Sequence, residues 1–127
     1  MKIIFLDMDG VLNSELTFRN NPTVIDPVDP EMVKQLNRIV KETGARLVLS
    51  STWRKGYLWP SRLADAGIDL NNFVGITPGS DKGFRGDEVN SWLEYANHFL
   101  SIEKYAILDD DSDFHEDQKL FKTSWKV

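Results

Sequence analysis

The chain has 127 residues, a formal net charge of −5 and no cysteine. This length fits a single domain with its own core, which we place at residues 1–127. The missing cysteine excludes a disulfide framework and a thiolate metal site, and the acidic balance argues against holding duplex DNA on a broad basic surface. The apolar run at residues 2–6 is too short for a signal or membrane-spanning segment. We therefore expect a cytoplasmic protein with no membrane partner.

Apolar runs that alternate with amphipathic segments predict strands and helices in turn. The strands are predicted at residues 2–6, 46–50, 71–77, 104–110 and 120–123. The helices are predicted over residues 30–43, 59–66 and 87–100. Asp29 and Pro30 form a helix start and Gly44 a helix stop, whereas the Pro- and Asn-rich residues 13–30 are predicted to be a loop.

This alternation predicts an α/β fold with three layers, in which an open parallel sheet carries helices on both faces. In such sheets, ligands bind outside the carboxyl ends of the strands. The candidate functional residues are therefore those that directly follow the predicted strands.

Three predicted strands end in polar side chains. Asp7 and Asp9 follow the first strand, Ser50 and Ser51 end the second, and an acidic run that starts at Asp109 ends the fourth. Two carboxylates about 4 Å apart repel each other by roughly 4 kcal/mol at an effective dielectric constant of about 20. Such a cluster requires protonation or a cation, and a set of ligands made only of oxygen atoms favours Mg²⁺.

The same segments resemble the motifs of a known enzyme family. "FLDMDGVLN" (5–13), "LVLSSTWR" (47–54) and "YAILDDDSD" (105–113) resemble the first, second and fourth motifs of the haloacid dehalogenase (HAD) superfamily of phosphotransferases. "SSTWR" and "FRGDEVNSWL" (84–93) look most like the small HAD domains associated with nucleic-acid repair. The resemblance implies a HAD-like Rossmannoid fold.

The resemblance also implies roles for the acidic residues. Asp7 would be the nucleophile that forms an aspartyl-phosphate, and Asp9 the general acid and then the general base. Mg²⁺ would be held by Asp7, by the backbone carbonyl of Asp9 and by an acidic residue of the fourth motif. Asp109 is the first choice for that residue and Asp110 the second, and Asp113 matches the acidic spacing of the family.

The remaining motif residues are predicted to contact the phosphate. Either Ser50 or Ser51 would donate a hydrogen bond to a phosphoryl oxygen. The basic residue of the third motif is expected at Arg85, with Lys82 as the substitute.

For each of two neighbouring residues, the sequence allows two roles. Arg54 either contacts substrate phosphate or pairs with a nearby carboxylate. Trp53 either packs in the core or stacks on a base, as in proteins that bind single strands.

The spacing of the motifs leaves no room for a large cap domain, and an open site suits a phosphate at the end of a polymer. Together with the repair-like motifs, this favours a Mg²⁺-dependent phosphatase of polynucleotide ends, with a 3′-phosphate as the expected substrate. A phosphatase of small esters such as nucleoside monophosphates is the first alternative. A non-catalytic phosphate-binding module is the second, and the oligomeric state stays open.

Overall fold

The computed structural model describes residues 1–126 and confirms the α/β fold class. Five strands form one parallel sheet in the order β3-β2-β1-β4-β5. They are β1 (Lys2–Leu6), β2 (Arg46–Leu49), β3 (Phe73–Ile76), β4 (Lys104–Asp109) and β5 (Leu120–Lys122). The helices are α1 (Glu15–Asn20), α2 (Pro30–Thr43), α3 (Trp59–Asp65) and α4 (Arg85–Ala96). No helix within residues 1–126 combines the length and the apolar character that a membrane span needs.

The sheet is covered on both faces, which gives the three predicted layers. Alternate residues of a strand point to opposite faces, so Ile4 and Leu6 pack in one apolar cluster and Ile3 and Phe5 in another. The first cluster contains buried residues of α2 and α3, and the second contains those of α4. The ring of Phe5 meets the ring of Trp92 edge to face at 5.6 Å.

The α2 prediction was correct at both ends. The side chain of Asp29 accepts a hydrogen bond from the Glu31 N–H, and Pro30 occupies the first turn. Gly44 ends the helix in the left-handed conformation, with φ 70°.

The bounds predicted for α4, residues 87–100, were shifted toward the C-terminus, because the helix starts at Arg85 and ends at Ala96. Asp113 explains the early start. Its carboxylate accepts from the Arg85 N–H at 3.3 Å and its carbonyl from the Gly86 N–H at 2.9 Å. These partners satisfy N–H groups of the first turn that have no acceptor within the helix.

The loop prediction for residues 13–30 was wrong for α1. The Glu15 N–H donates to the Trp125 carbonyl at 2.9 Å, and the rings of Phe18 and Trp125 lie 5.0 Å apart. Because these contacts join residues more than a hundred positions apart, local sequence patterns do not reveal them. The connections between the strands hold these short helices and no inserted cap domain within residues 1–126.

Strand register brings the carboxyl ends of three strands to one level. Leu6 pairs with Leu49 on one side and with Leu108 on the other. The ladder continues one residue further, since the Ser50 N–H donates to the Leu6 carbonyl at 2.9 Å and the Asp7 N–H to the Leu108 carbonyl at 3.0 Å. Asp7 and Ser50 are therefore held by sheet hydrogen bonds.

A buried ion pair joins the segment after β2 to α4. Arg54 Nη2 lies 3.3 Å from Glu88 Oε1, and the two side chains are only 6% and 5% exposed. Arg54 also donates to the carbonyls of Thr77 and Ser51, each at 2.8 Å. This guanidinium therefore holds the ends of β2 and β3 against the helix.

We expect Glu88→Ala to lower the free energy of unfolding by about 3–5 kcal/mol, because it leaves the Arg54 charge buried without its partner. Glu42→Ala, which breaks an exposed pair with Arg38, should cost no more than about 1 kcal/mol. Urea denaturation of both variants measures the difference. Equal losses would show that the buried pair does not hold the fold together.

Candidate active site

Three carboxylates meet at the carboxyl edge of the sheet. Asp7 follows β1, Asp109 ends β4, and Asp110 comes next in the chain; one oxygen atom of each lies within 4.8 Å of the others. Asp7 is 4% exposed and Asp109 only 1%, so little water reaches either charge. This is the acidic cluster expected from the sequence.

Burial and mutual repulsion change the protonation of this cluster. Loss of water, followed by repulsion from Asp109, raises the pKa of Asp7 from 3.8 to about 8, although Arg85 opposes the shift. Burial is also the main cause that raises the pKa of Asp109. Without a cation, the cluster therefore favours a bound proton at neutral pH.

Arg85 supplies the positive charge that faces the cluster. Its Nη1 lies 3.4 Å from Asp7 Oδ1 and 3.5 Å from Asp109 Oδ2, and it donates to the carbonyl of Ser50. Burial disfavours the charged guanidinium, but the two carboxylates outweigh it and raise the pKa of Arg85. Lys82, the substitute predicted from the sequence, is exposed in the turn before α4. The contacts thus favour Arg85 over Lys82 as the basic residue of the site.

Asp9 is oriented by a residue that the sequence analysis did not single out. Asn13 is fully buried, and its Nδ2 donates to Asp9 Oδ1 at 3.0 Å and to the Pro27 carbonyl at 3.1 Å. Its Oδ1 accepts from the Gly10 N–H at 3.0 Å. Asn13 therefore closes the turn and aims the Asp9 carboxylate. An amide four residues after Asp9, within an otherwise apolar stretch, was the available signal.

Gly10 allows the acidic residues after β4 to approach the first motif. It has φ +85°, and a Cβ at this position would lie 2.4 Å from Asp110 Cγ. A larger residue would therefore displace Asp110 as well as strain the backbone.

The two serines after β2 differ in their hydrogen bonds. Ser51 Oγ accepts from the Trp53 N–H at 3.2 Å and so caps the 3₁₀ turn Thr52–Lys55. Ser50 Oγ is buried without a hydrogen-bond partner among residues 1–126. These contacts favour Ser50 as the free donor, because an unpaired buried hydroxyl is stabilised by any acceptor that reaches it.

Three other candidate residues contact groups other than the three clustered carboxylates. Arg54 pairs with the carboxylate of Glu88, which is the second of the two interpretations that the sequence allowed. Asp113 contacts the start of α4. Trp53 is half-buried against the core and also lines a cavity beside Asp9.

The donor set fits a hard divalent cation. Asp7, Asp109 and Asp110 offer three carboxylate oxygens within reach of one ion, and Mg²⁺ prefers such ligands. The Asp9 carboxylate is not one of the three.

We expect the metal-free protein to lose stability as pH rises from about 5 to 9. Because the pKa of Asp7 is higher in the folded chain than in the unfolded chain, the folded state binds more protons over this range, and raising the pH removes that advantage. Asp7→Asn should flatten the fall in Tm measured with a chelator present. Asp65→Asn, at an exposed position of α3, should keep the wild-type slope, and an unchanged slope in Asp7→Asn would contradict the assignment.

One family model covers nearly the whole chain. Residues 3–127 match the HAD domain in Swiss Army Knife RNA repair proteins. No curated protein and no solved structure shows a significant match. With the acidic cluster at the carboxyl edge of a parallel sheet and no cap domain in the described residues, the chain belongs to this family of HAD domains.

Proposed function

We propose that the chain is a Mg²⁺-dependent phosphomonoesterase that acts through an aspartyl-phosphate at Asp7 on the 3′-phosphate ends of polynucleotides. One observation carries the proposal: the carboxylates of Asp7, Asp109 and Asp110 converge within 4.8 Å, and Arg85 Nη1 lies 3.4 Å from Asp7. A site with these charges suits a phosphoryl group bound together with a cation.

In the first step, the Asp7 carboxylate attacks phosphorus and the ester P–O bond breaks. Asp9 donates its proton to the leaving oxygen, which departs as the 3′-hydroxyl. Arg85 stabilises the negative charge that develops on the phosphoryl oxygens, and Ser50 donates a hydrogen bond to one of them. Bound Mg²⁺ would neutralise the carboxylates and the phosphoryl group, so that Asp7 reacts as an anion.

In the second step, water attacks the phosphorus of the aspartyl-phosphate at Asp7. Asp9, now a carboxylate, takes the proton of that water, and the bond between Asp7 and phosphorus breaks. Inorganic phosphate leaves, and both aspartates return to their starting states. The hydrogen bond from Asn13 keeps Asp9 in place during both steps.

The choice of a polymer end has three supports. The connections between strands carry no cap domain within residues 1–126, so the edge of the sheet stays open to a large substrate. The matching family is described from RNA repair proteins. A nucleic-acid end bound through its phosphate also agrees with the acidic balance of the chain, which is unsuited to wide contact with a duplex.

The first test compares phosphate release from a 3′-phosphorylated oligonucleotide and from a nucleoside monophosphate at matched concentration. We expect faster release from the oligonucleotide, dependence on Mg²⁺, and at least a thousandfold loss of kcat in Asp7→Asn, roughly the cost of removing a nucleophile. Asp65→Asn serves as the matched control and should keep wild-type activity. Faster release from the monophosphate would assign the chain to small esters, and no release from either substrate would indicate a phosphate-binding module.

Arg85 and Lys82 provide a second matched pair. Arg85→Gln should lower kcat by about 10²–10³-fold, because it removes a preorganised positive charge from the transition state. Lys82→Gln should change kcat less than about twofold, since Lys82 is exposed in the turn before the helix. Steady-state kinetics on the oligonucleotide measure both effects. A larger loss of kcat in Lys82→Gln than in Arg85→Gln would assign the stabilising charge to Lys82.

A further inference from the structure

A cavity lies beside the acidic cluster and is bordered by Asp9. Its volume is about 480 Å³, and Asp9 itself forms part of its wall. The rest of the wall comes from Ile25 in the loop before α2 and from the segment that leads from β2 into α3. We call this cavity the aromatic pocket, after Trp53, Tyr57 and Trp59, which line it.

Several large apolar side chains that border the aromatic pocket are exposed to solvent. Tyr57 is 89% exposed, Ile25 73% and Leu58 53%, and all three border the pocket. Single exposed apolar residues are common, but a group of them around a cavity is typical of a binding site. This group lies directly beside the proposed general acid.

The pocket has walls held by the fold. Trp53 and Trp59 pack against the apolar core, and the ring of Trp59 meets that of Phe73 at 5.5 Å. Arg62 of α3 donates to the Ile25 carbonyl and joins the two sides. Tyr57 is the exception, since its side chain projects from these walls into solvent.

The charges of the pocket exclude a second phosphate. Its lining contains two acidic side chains, Asp9 and Asp26, and one cation, Arg62, whose guanidinium is already bonded to a carbonyl. A phosphate would meet repulsion here, whereas a neutral flat ring would meet aromatic faces and polar edges. Base–aromatic stacking is worth about 1–3 kcal/mol per base in proteins that bind single strands.

We infer that the aromatic pocket holds the nucleobase of the nucleotide that carries the phosphate. This inference rests on the proposed function and names its substrate more closely: an unpaired terminal nucleotide, because a base enclosed in a pocket cannot also pair with a complementary strand. Asp9 then contacts the phosphate ester on one side and borders the base on the other. Single-stranded ends would be preferred over blunt duplex ends.

The test uses two 3′-phosphorylated RNA oligonucleotides that are identical except that one lacks the terminal base. We expect kcat/KM to be about 5- to 150-fold higher with the base present, which is the stacking range above expressed as a rate ratio, with most of the change in KM. Equal kcat/KM for the two substrates would overturn the inference and leave the phosphatase standing.

Variants of Tyr57 locate the effect. Because Tyr57 is 89% exposed, Tyr57→Ala should fold normally and reduce the preference for the base, whereas Tyr57→Phe should retain it. Tyr95→Ala, which removes an exposed tyrosine from α4, should behave as wild type. A preference that survives unchanged in Tyr57→Ala would place the base elsewhere.

A binding measurement separates this inference from the proposed function. Oligonucleotides with a 3′-hydroxyl, with and without the terminal base, are titrated against the tryptophan fluorescence of the wild-type protein. Tighter binding of the base-bearing strand supports the pocket even if no substrate, glycerol phosphate included, releases phosphate. Equal affinities overturn the pocket, while phosphate release from glycerol phosphate alone would keep the phosphatase.

Discussion

The repulsion among carboxylates at the ends of β1 and β4 is the constraint on which the site depends. Asp7 and Asp109 are almost completely buried, and the pKa of each is raised chiefly because water is excluded. Such an arrangement is stable only with a proton, a cation or a fixed positive charge close by. Arg85 provides the fixed charge from the first turn of α4, whose start is held by Asp113.

The sheet and its neighbours hold this strained arrangement in place. Hydrogen bonds of the parallel ladder continue past the strands to Asp7 and Ser50, so the reacting positions have the rigidity of the sheet. The buried pair of Arg54 and Glu88 ties the end of β2 to α4, the helix that carries Arg85. Hydrogen bonds and ion pairs of this kind position charges with little movement, as electrostatic catalysis requires.

In our proposals, two neighbouring regions of the site bind different parts of the substrate. The acidic cluster and Arg85 receive the phosphate, and the aromatic pocket receives the base. The division follows from charge, because Arg85 favours an anion beside the acidic cluster and the acidic lining of the pocket favours a neutral ring. Without a cap domain in the described residues, specificity has to come from such contacts beside the phosphate and not from enclosure of the whole substrate.

The sequence by itself determined the fold class, the helix α2 with both ends, and the positions of Asp7, Asp109 and Asp110 at the edge of the sheet. Apolar strand runs and the rule that ligands bind at carboxyl ends are local or topological, so they can be read without coordinates. Only the tertiary structure decided that α1 forms, which of the two serines is unpaired, and that Asn13 aims Asp9. The helix α1 has contacts with the distant Trp125, which no local pattern records. The roles of Asn13 and Ser51 depend on hydrogen bonds to residues four and two positions away, and the residue pattern alone does not specify which side chain makes them.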